Sequence, residues 1–193
     1  MPTAIFDVDG VLIDSWEPHL RSWVALAEEL GHPFTEDDFA RTFGRTTRDI
    51  LSTHFGIDDR ATADAIDERK EALYRDYAAA DFRAMPGATA LIVALHEAGW
   101  SLAVGSSGPP DNVALVLDRV DAEARIGARV TGRDVERGKP DPHVFLLAAE
   151  RLGVAPDECI VIEDAPAGVE AARRAEMAVI GLASTGRTRD ELS

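Results

Sequence analysis

The stretch "TAIFDVDGVLIDS", Thr3 to Ser15, ends an apolar run in two aspartates, Asp7 and Asp9, followed by Gly10 and a third acid, Asp14. An ionised carboxylate beside a core is costly unless something pairs with it. If "TAIFD" (3–7) is a central parallel strand, Asp7 stands at its carboxyl end, where ligands bind in open α/β sheets. Gly10 then permits a tight turn. Two carboxylates at this spacing suit a metal ion or acid–base work. A hydrated turn after a strand is the plain alternative. A calcium loop is a poor match, because Val11 and Leu12 stand where an oxygen ligand and a glycine are needed.

Three further stretches carry chemistry. "AVGSSG" (103–108) puts Ser106 and Ser107 after a second apolar run, where a hydroxyl and backbone N–H groups can meet an anion. "ERGKPDP" (136–142) offers Lys139 in a loop braced by prolines. It is not a Walker A loop, because proline rather than Ser or Thr follows the lysine. "IVIEDAPAG" (160–168) sets Glu163 and Asp164 at another strand end. Taken singly, the serines read as turn residues and the lysine as a solvated side chain. Together, at one edge of one sheet, two acidic tips, a hydroxyl tip and a lysine converge. Acid clusters of this kind favour a hard cation such as Mg²⁺. The cation, the lysine and the hydroxyl then make a site for phosphate.

The elements that must position these residues are legible as short apolar runs: "TAIFD", "SLAVGS" (101–106), "RIGARV" (125–130), "CIVIE" (159–163) and "AVIGL" (178–182). Helical patterns separate most of them, which predicts a parallel sheet. The patterns cover 87–99, 141–153 (Asp141 as N-cap, Pro142 first) and 165–177. The segment from about Asp14 to Asp81 breaks this alternation. It reads as four helices, at 16–31, 35–44 with Thr35 as N-cap, 46–56 and 60–82. The expected organisation is an α/β core of residues 1–14 and 82–193 with an all-helical insertion at 15–81.

The chain has 193 residues, 46% of them hydrophobic, enough for a sizeable core. Its 35 acids against 20 bases leave a formal charge of −15, which argues against a nucleic-acid partner. The single cysteine, Cys159, allows no intramolecular disulfide and fits a reducing cytoplasm. It lies in an apolar strand and reads as a small core residue. No apolar run is long enough for a membrane span, and no signal-peptide pattern opens the chain.

With these residues in view, the sequence resembles the haloacid dehalogenase-like superfamily, in the branch that contains β-phosphoglucomutase and many small sugar-phosphate phosphatases. All four family motifs stand in order: "DVDGVLIDS", Ser106, Lys139 in "GKPDP", and "EDAPAG". "HLRSWVALAEELG" (19–31) is similar to the branch's cap helix. The resemblance implies a Rossmann-like parallel sheet with an inserted helical cap. It implies Asp7 as nucleophile, Asp9 as general acid/base, and Ser106 and Lys139 on the phosphoryl group. It further implies Mg²⁺ held by Asp7, Asp9 (through its carbonyl), Glu163 and Asp164. Ser107, His19, Arg45 and Lys70 become the substrate-binding candidates. The expected activity is a Mg²⁺-dependent phosphatase on a small phosphorylated metabolite, working through an aspartyl-phosphate. The alternative is a phosphohexomutase of the β-phosphoglucomutase type. A cytoplasmic monomer or weak dimer is expected.

Two departures from the mutase pattern tilt the expectation towards phosphatase. Phe43 and Thr47 stand where mutases carry a basic residue and an arginine, with Arg45 and Arg48 alongside. The resemblance also calls for a final strand and helix beyond "TGRTRDELS".

Overall fold

The computed structural model describes residues 1–42, 45–184 and 188–192. The chain divides into two compact units, one formed by Met1–Asp14 with Arg83–Ser193 and the other by Ser15–Phe82. The second junction falls one residue later than the sequence pattern suggests. Backbone pairing accounts for this: the Asp14 N–H donates to the Arg83 carbonyl at 2.9 Å, and Ile13 bridges Ala84. The first unit therefore resumes at Arg83.

Five parallel strands form one sheet in the order β3-β2-β1-β4-β5: β1 (Thr3–Phe6), β2 (Ser101–Gly105), β3 (Ala128–Val130), β4 (Cys159–Glu163) and β5 (Ala178–Gly181). This bears out the expected α/β fold with a Rossmann-like parallel sheet. All four residues of β1 are buried, as a central strand covered on both faces requires. The chain first walks outward through β2 and β3, then crosses back to β4 and β5. The order reverses at β1, and the crevice beyond its carboxyl end is the expected place for a ligand.

In this unit α5 (Ala88–Glu97), α6 (Pro110–Arg119), α7 (His143–Leu152) and α8 (Pro166–Arg174) flank the strands. Small alanines let α7 and α8 approach closely: Ala148, Ala149, Ala171 and Ala172 are buried with Ile5, Ala103, Val161 and Phe145 in one core. Cys159 belongs to that core and forms no disulfide. Burial pushes its thiol pKa up, as expected for an unreactive packing residue.

Some boundaries differ from the sequence pattern. α6 begins with Pro110 at its first position, a placement that costs no hydrogen bond. Its two leading prolines hide it within an apparent loop. β3 is shorter than "RIGARV", because Gly127 donates to the Leu102 carbonyl at 2.8 Å before regular pairing starts. α7 starts at His143 with Pro142 in the cap position, so Asp141 is not the N-cap residue. The Asp141 carboxylate still accepts the His143 N–H, at 3.1 Å.

The second unit holds α1 (Trp16–Leu30), α2 (Glu36–Thr42), α3 (Thr47–Phe55) and α4 (Arg60–Ala80). No strand occurs among its described residues. Thr35 and Asp38 cap α2 reciprocally, each side chain taking the other's N–H. Thr46 and Asp59 cap α3 and α4 through the N–H groups of Asp49 and Thr62. Trp23, Leu26, Phe34, Phe39, Leu51, Phe55 and Leu73 make its core. Arg69 grips Glu29 with two hydrogen bonds, and Arg21 lies 4.2 Å over the Tyr77 ring, so α1 and α4 are tied at two points. Among the described residues, no helix is long and apolar enough to cross a membrane.

Candidate active site

Parallel strands deliver their carboxyl ends to one edge. Asp7 follows β1 and continues its ladder, its N–H donating to the Ile162 carbonyl at 2.9 Å. Ser106 does the same after β2, donating to Val130 at 3.0 Å. Glu163 is the last residue of β4, and Asp164 follows it. Each of these side chains is set by a strand that has just finished pairing, so little backbone freedom remains.

Lys139 arrives from the loop between β3 and α7. Its Nζ donates to Asp7 Oδ1 at 2.8 Å and to Glu163 Oε1 at 2.7 Å. The lysine side chain is 8% exposed and Glu163 1%. The other Glu163 oxygen accepts the Ala165 N–H at 2.5 Å. Glu163 is thus held at both oxygens and in turn holds the lysine.

Charge is crowded here. Burial raises the Asp7 pKa well above the usual carboxylate range. Lys139 opposes that rise, while Glu163 and Asp9 add to it. For Lys139, burial pulls the pKa down, but attraction to Asp7 and Glu163 more than reverses this and holds it above its ordinary value.

Oxygen atoms of Asp7, Glu163 and Asp164 lie within 4.8 Å of one another, and all three residues are buried. An all-oxygen, three-carboxylate cluster fits a hard divalent cation. Two glycines make room for its carboxylates. A Cβ on Gly10 would fall 2.0 Å from Asp164 Oδ2, and the residue also has φ of +70°. A Cβ on Gly168 would fall 1.7 Å from Glu163 Oε1. Ser184 Oγ donates to Asp164 Oδ2 at 2.8 Å.

The remaining predicted residues are placed as follows. Asp9 is half-buried and turns towards the Ser106–Gly108 loop: a Cβ on Gly108 would lie 3.3 Å from Ser106 Oγ and 4.0 Å from Asp9 Oδ2. Ser106 is buried and its Oγ accepts the Gly108 N–H at 3.0 Å. Ser107 is exposed. Its carbonyl abuts Gly132, where a Cβ would come within 2.2 Å, so the loops after β2 and β3 can only nest because Gly132 lacks one.

His19, Arg45 and Lys70 belong to the helical unit. Lys70 is buried, 2.9 Å from His19 Nδ1 and 2.8 Å from Glu71 Oε1. His19 stacks on Tyr74 at 4.2 Å. Arg45 is exposed. Burial raises the pKa of Asp67, and a hydrogen bond with Thr47 opposes the rise. Phe43 lies outside the described residues.

Three neighbours of the site were not singled out from sequence: Ser184, Phe145, whose ring centroid lies 4.8 Å from Lys139 Nζ, and the obligation on Gly168. A serine shortly after the fifth strand was the one available signal for the first. The other two arise from tertiary contact.

Residues 1–176 match the family described as haloacid dehalogenase-like hydrolase, and this chain belongs to that family. A phosphorylated carbohydrates phosphatase of Thermotoga maritima is 33% identical over 91% of this chain and 82% of its own length. A β-phosphoglucomutase of Bacillus subtilis is 31% identical over 94% and 83%. A crystal structure of a HAD hydrolase, family IA, variant 3, from Entamoeba histolytica superposes with TM-score 0.90 at 29% identity, covering 100% of this chain and 88% of that one. The expectation of an enzyme, a phosphoric monoester hydrolase, is borne out by the family and its phosphatase relatives.

Proposed function

We propose that this protein is a Mg²⁺-dependent phosphatase acting on a small phosphorylated metabolite, a sugar phosphate or similar, through an aspartyl-phosphate on Asp7. The observation that carries the reading is the Asp7–Lys139–Glu163 bridge at the reversal point of the sheet, with Asp164 beside it. An Asp7 carboxylate oxygen attacks phosphorus as the bond to the leaving oxygen breaks. Asp9 gives that oxygen a proton. Water then attacks phosphorus, Asp9 takes its proton, and the Asp7 carboxylate and inorganic phosphate are released. Lys139 and the Ser106 hydroxyl bind the phosphoryl oxygens, where charge is greatest. Asp7, Asp164, Asp9 through its carbonyl, and Glu163 are the proposed metal-holding residues. When bound, magnesium supplies positive charge that offsets repulsion between a carboxylate and a phosphate dianion.

On this reading the helical unit serves as a cap, and Ser107, His19, Arg45 and Lys70 bind the rest of the substrate. The protein is taken as cytoplasmic, a monomer or weak dimer, with no nucleic-acid partner.

The mutase relative supports a second reading, a phosphohexomutase. A mutase must hold a second phosphate, which carries close to two charges and calls for a bidentate arginine. Thr47, where the resemblance puts one, offers a neutral hydroxyl and faces a carboxylate, Asp67. This favours the phosphatase.

The test supplies β-glucose 1-phosphate with a glucose bisphosphate primer, then a panel of phosphorylated sugars and short acids, scoring phosphate release and isomerisation together. Phosphate release is expected to dominate and to stop in excess chelator. Dominant isomerisation would overturn the phosphatase reading, and full activity in chelator would overturn the metal's part in it.

A further inference from the structure

Lys139 has a neighbour besides its two carboxylates. Its Nζ lies 4.8 Å from the centroid of the Phe145 ring. That is within the roughly 6 Å over which an aromatic face attracts a cation. We propose that Phe145 is a positioning residue for Lys139, holding the ammonium through the negative face of its ring. The proposal rests on the reading of Lys139 as the phosphoryl-binding cation.

The geometry gives the ring no other place to go. Phe145 is fully buried in the second position after the start of α7. Gly105, the last residue of β2, lies directly against it: a Cβ there would stand 3.0 Å from ring Cδ1 and 3.2 Å from Cε1. Glycine weakens a buried strand, so its presence marks a close approach. Here the approach is that of the Phe145 ring. A Cβ at 105 would force the ring to shift by a few tenths of an ångström.

Lysine needs such a wall. Its stem has several rotatable bonds and its head is a compact point charge with three donors. Two of those donors are engaged, by Asp7 and Glu163. One of these partners changes during the proposed reaction, because Asp7 loses its charge when it becomes an acyl phosphate. The ring's attraction does not depend on that step. It keeps the ammonium at one height while the charge on Asp7 comes and goes.

Simple packing also explains a buried phenylalanine. Fluorination separates the two, because fluorine drains the ring face of negative charge while hardly altering its shape. Phe145 is therefore replaced in turn by 4-fluoro-, 3,5-difluoro- and 3,4,5-trifluorophenylalanine. With the substrate that the wild type turns over, kcat/KM is expected to fall step by step, by about five- to tenfold at the trifluoro variant. Inhibition by inorganic phosphate should weaken in parallel. The thermal midpoint should fall along the series in the wild-type background and stay level in Lys139→Met, an arm that needs no turnover.

A level series in both backgrounds overturns the proposal. A midpoint that falls equally in Lys139→Met also overturns it, because the ring then acts without the lysine. If Lys139→Met keeps wild-type phosphatase activity, the reading of Lys139 fails, while the midpoints still report whether ring and ammonium are coupled. Should Lys139→Met not fold, the graded turnover series decides, since packing does not follow ring charge.

Discussion

Replacing Gly168 by alanine sets two effects of opposite sign against each other. The residue sits in the first turn of α8, where alanine normally gains about 1 kcal/mol over glycine. Its new methyl, however, would lie 1.7, 2.0 and 2.6 Å from Glu163 Oε1, Cδ and Cγ. Glu163 is 1% exposed and carries both Lys139 and the Ala165 N–H, so it cannot swing into solvent without abandoning them. Overpacking costs roughly 1–3 kcal/mol and breaking a buried ion pair roughly 3–5. Asp7 remains as a partner for Lys139, which reduces the second figure. The expected net is a destabilisation of about 2–4 kcal/mol, or a midpoint lowered by roughly 5–15 °C in a chain of this size. Urea and thermal unfolding followed by circular dichroism measure it. Gly138→Ala is the control, because a Cβ there meets nothing within 4 Å. In a Glu163→Ala background the same change should turn neutral or favourable. A Gly168→Ala protein as stable as the wild type would refute the reasoning, since Glu163 would then have a second place to go.

Three other perturbations read different parts of the site. Ser184→Ala removes one hydrogen bond to Asp164 and should weaken Mn²⁺ binding about tenfold by calorimetry; unchanged affinity would remove Ser184 from the metal's surroundings. Asp9→Asn should slow hydrolysis of an alkyl phosphate by about 10²–10⁴ while sparing much of the rate on p-nitrophenyl phosphate, whose leaving group needs no proton; equal losses on both would argue against Asp9 as the donor. Asp134 tests the bracing of the loop after β3. Arg151 and Thr131 lower its carboxyl pKa to about 2, below the usual 3.8. A lowered folded value stabilises above the unfolded pKa, and the benefit is lost as pH falls from about 4 towards 2. Allowing for partial exposure, wild type should exceed Asp134→Asn by about 1 kcal/mol at pH 7, with the gap narrowing below about pH 4 and closing only around or below pH 2. A gap independent of pH would mean the carboxylate's charge does not matter.

The chemistry was legible in sequence because a parallel sheet turns a pattern into a place. Every strand that ends in a polar residue delivers it to the same edge, so Asp7, Ser106 and Glu163 could be gathered without any coordinates. What lay between the strand tips was not legible. The glycine at position 10 announces itself as a turn. Those at 105, 132 and 168 owe their identity to Phe145, Ser107 and Glu163, residues distant in the chain or folded back upon it. Phe145 looks like any core residue in a helical stripe until the lysine is placed above it. α6 is hidden in the sequence because its two opening prolines read as loop, and β3 reads longer than it is because Gly127 hides the point where regular pairing begins.

The position of β1 has a consequence for how the molecule is made. The strand carrying Asp7 leaves the ribosome first among the five, yet it sits in the middle of the sheet, with Ser101 and Cys159 as the partners of Thr3. At about 5–20 residues per second, the second partner follows on the order of ten seconds later. Until β2 emerges both edges of this apolar strand are open, and the edge that β4 covers stays open longer. The helical unit, Ser15–Phe82, is complete in the meantime. By packing α1 along α4, with Arg21 over Tyr77, it returns the chain close to where it left. The loop that β1 must close to meet β2 then shrinks to little more than the residues after α4, an entropic saving of about 1 kcal/mol. In the nascent chain the inserted helices thus act as a clasp, gathering the thread before the sheet is woven.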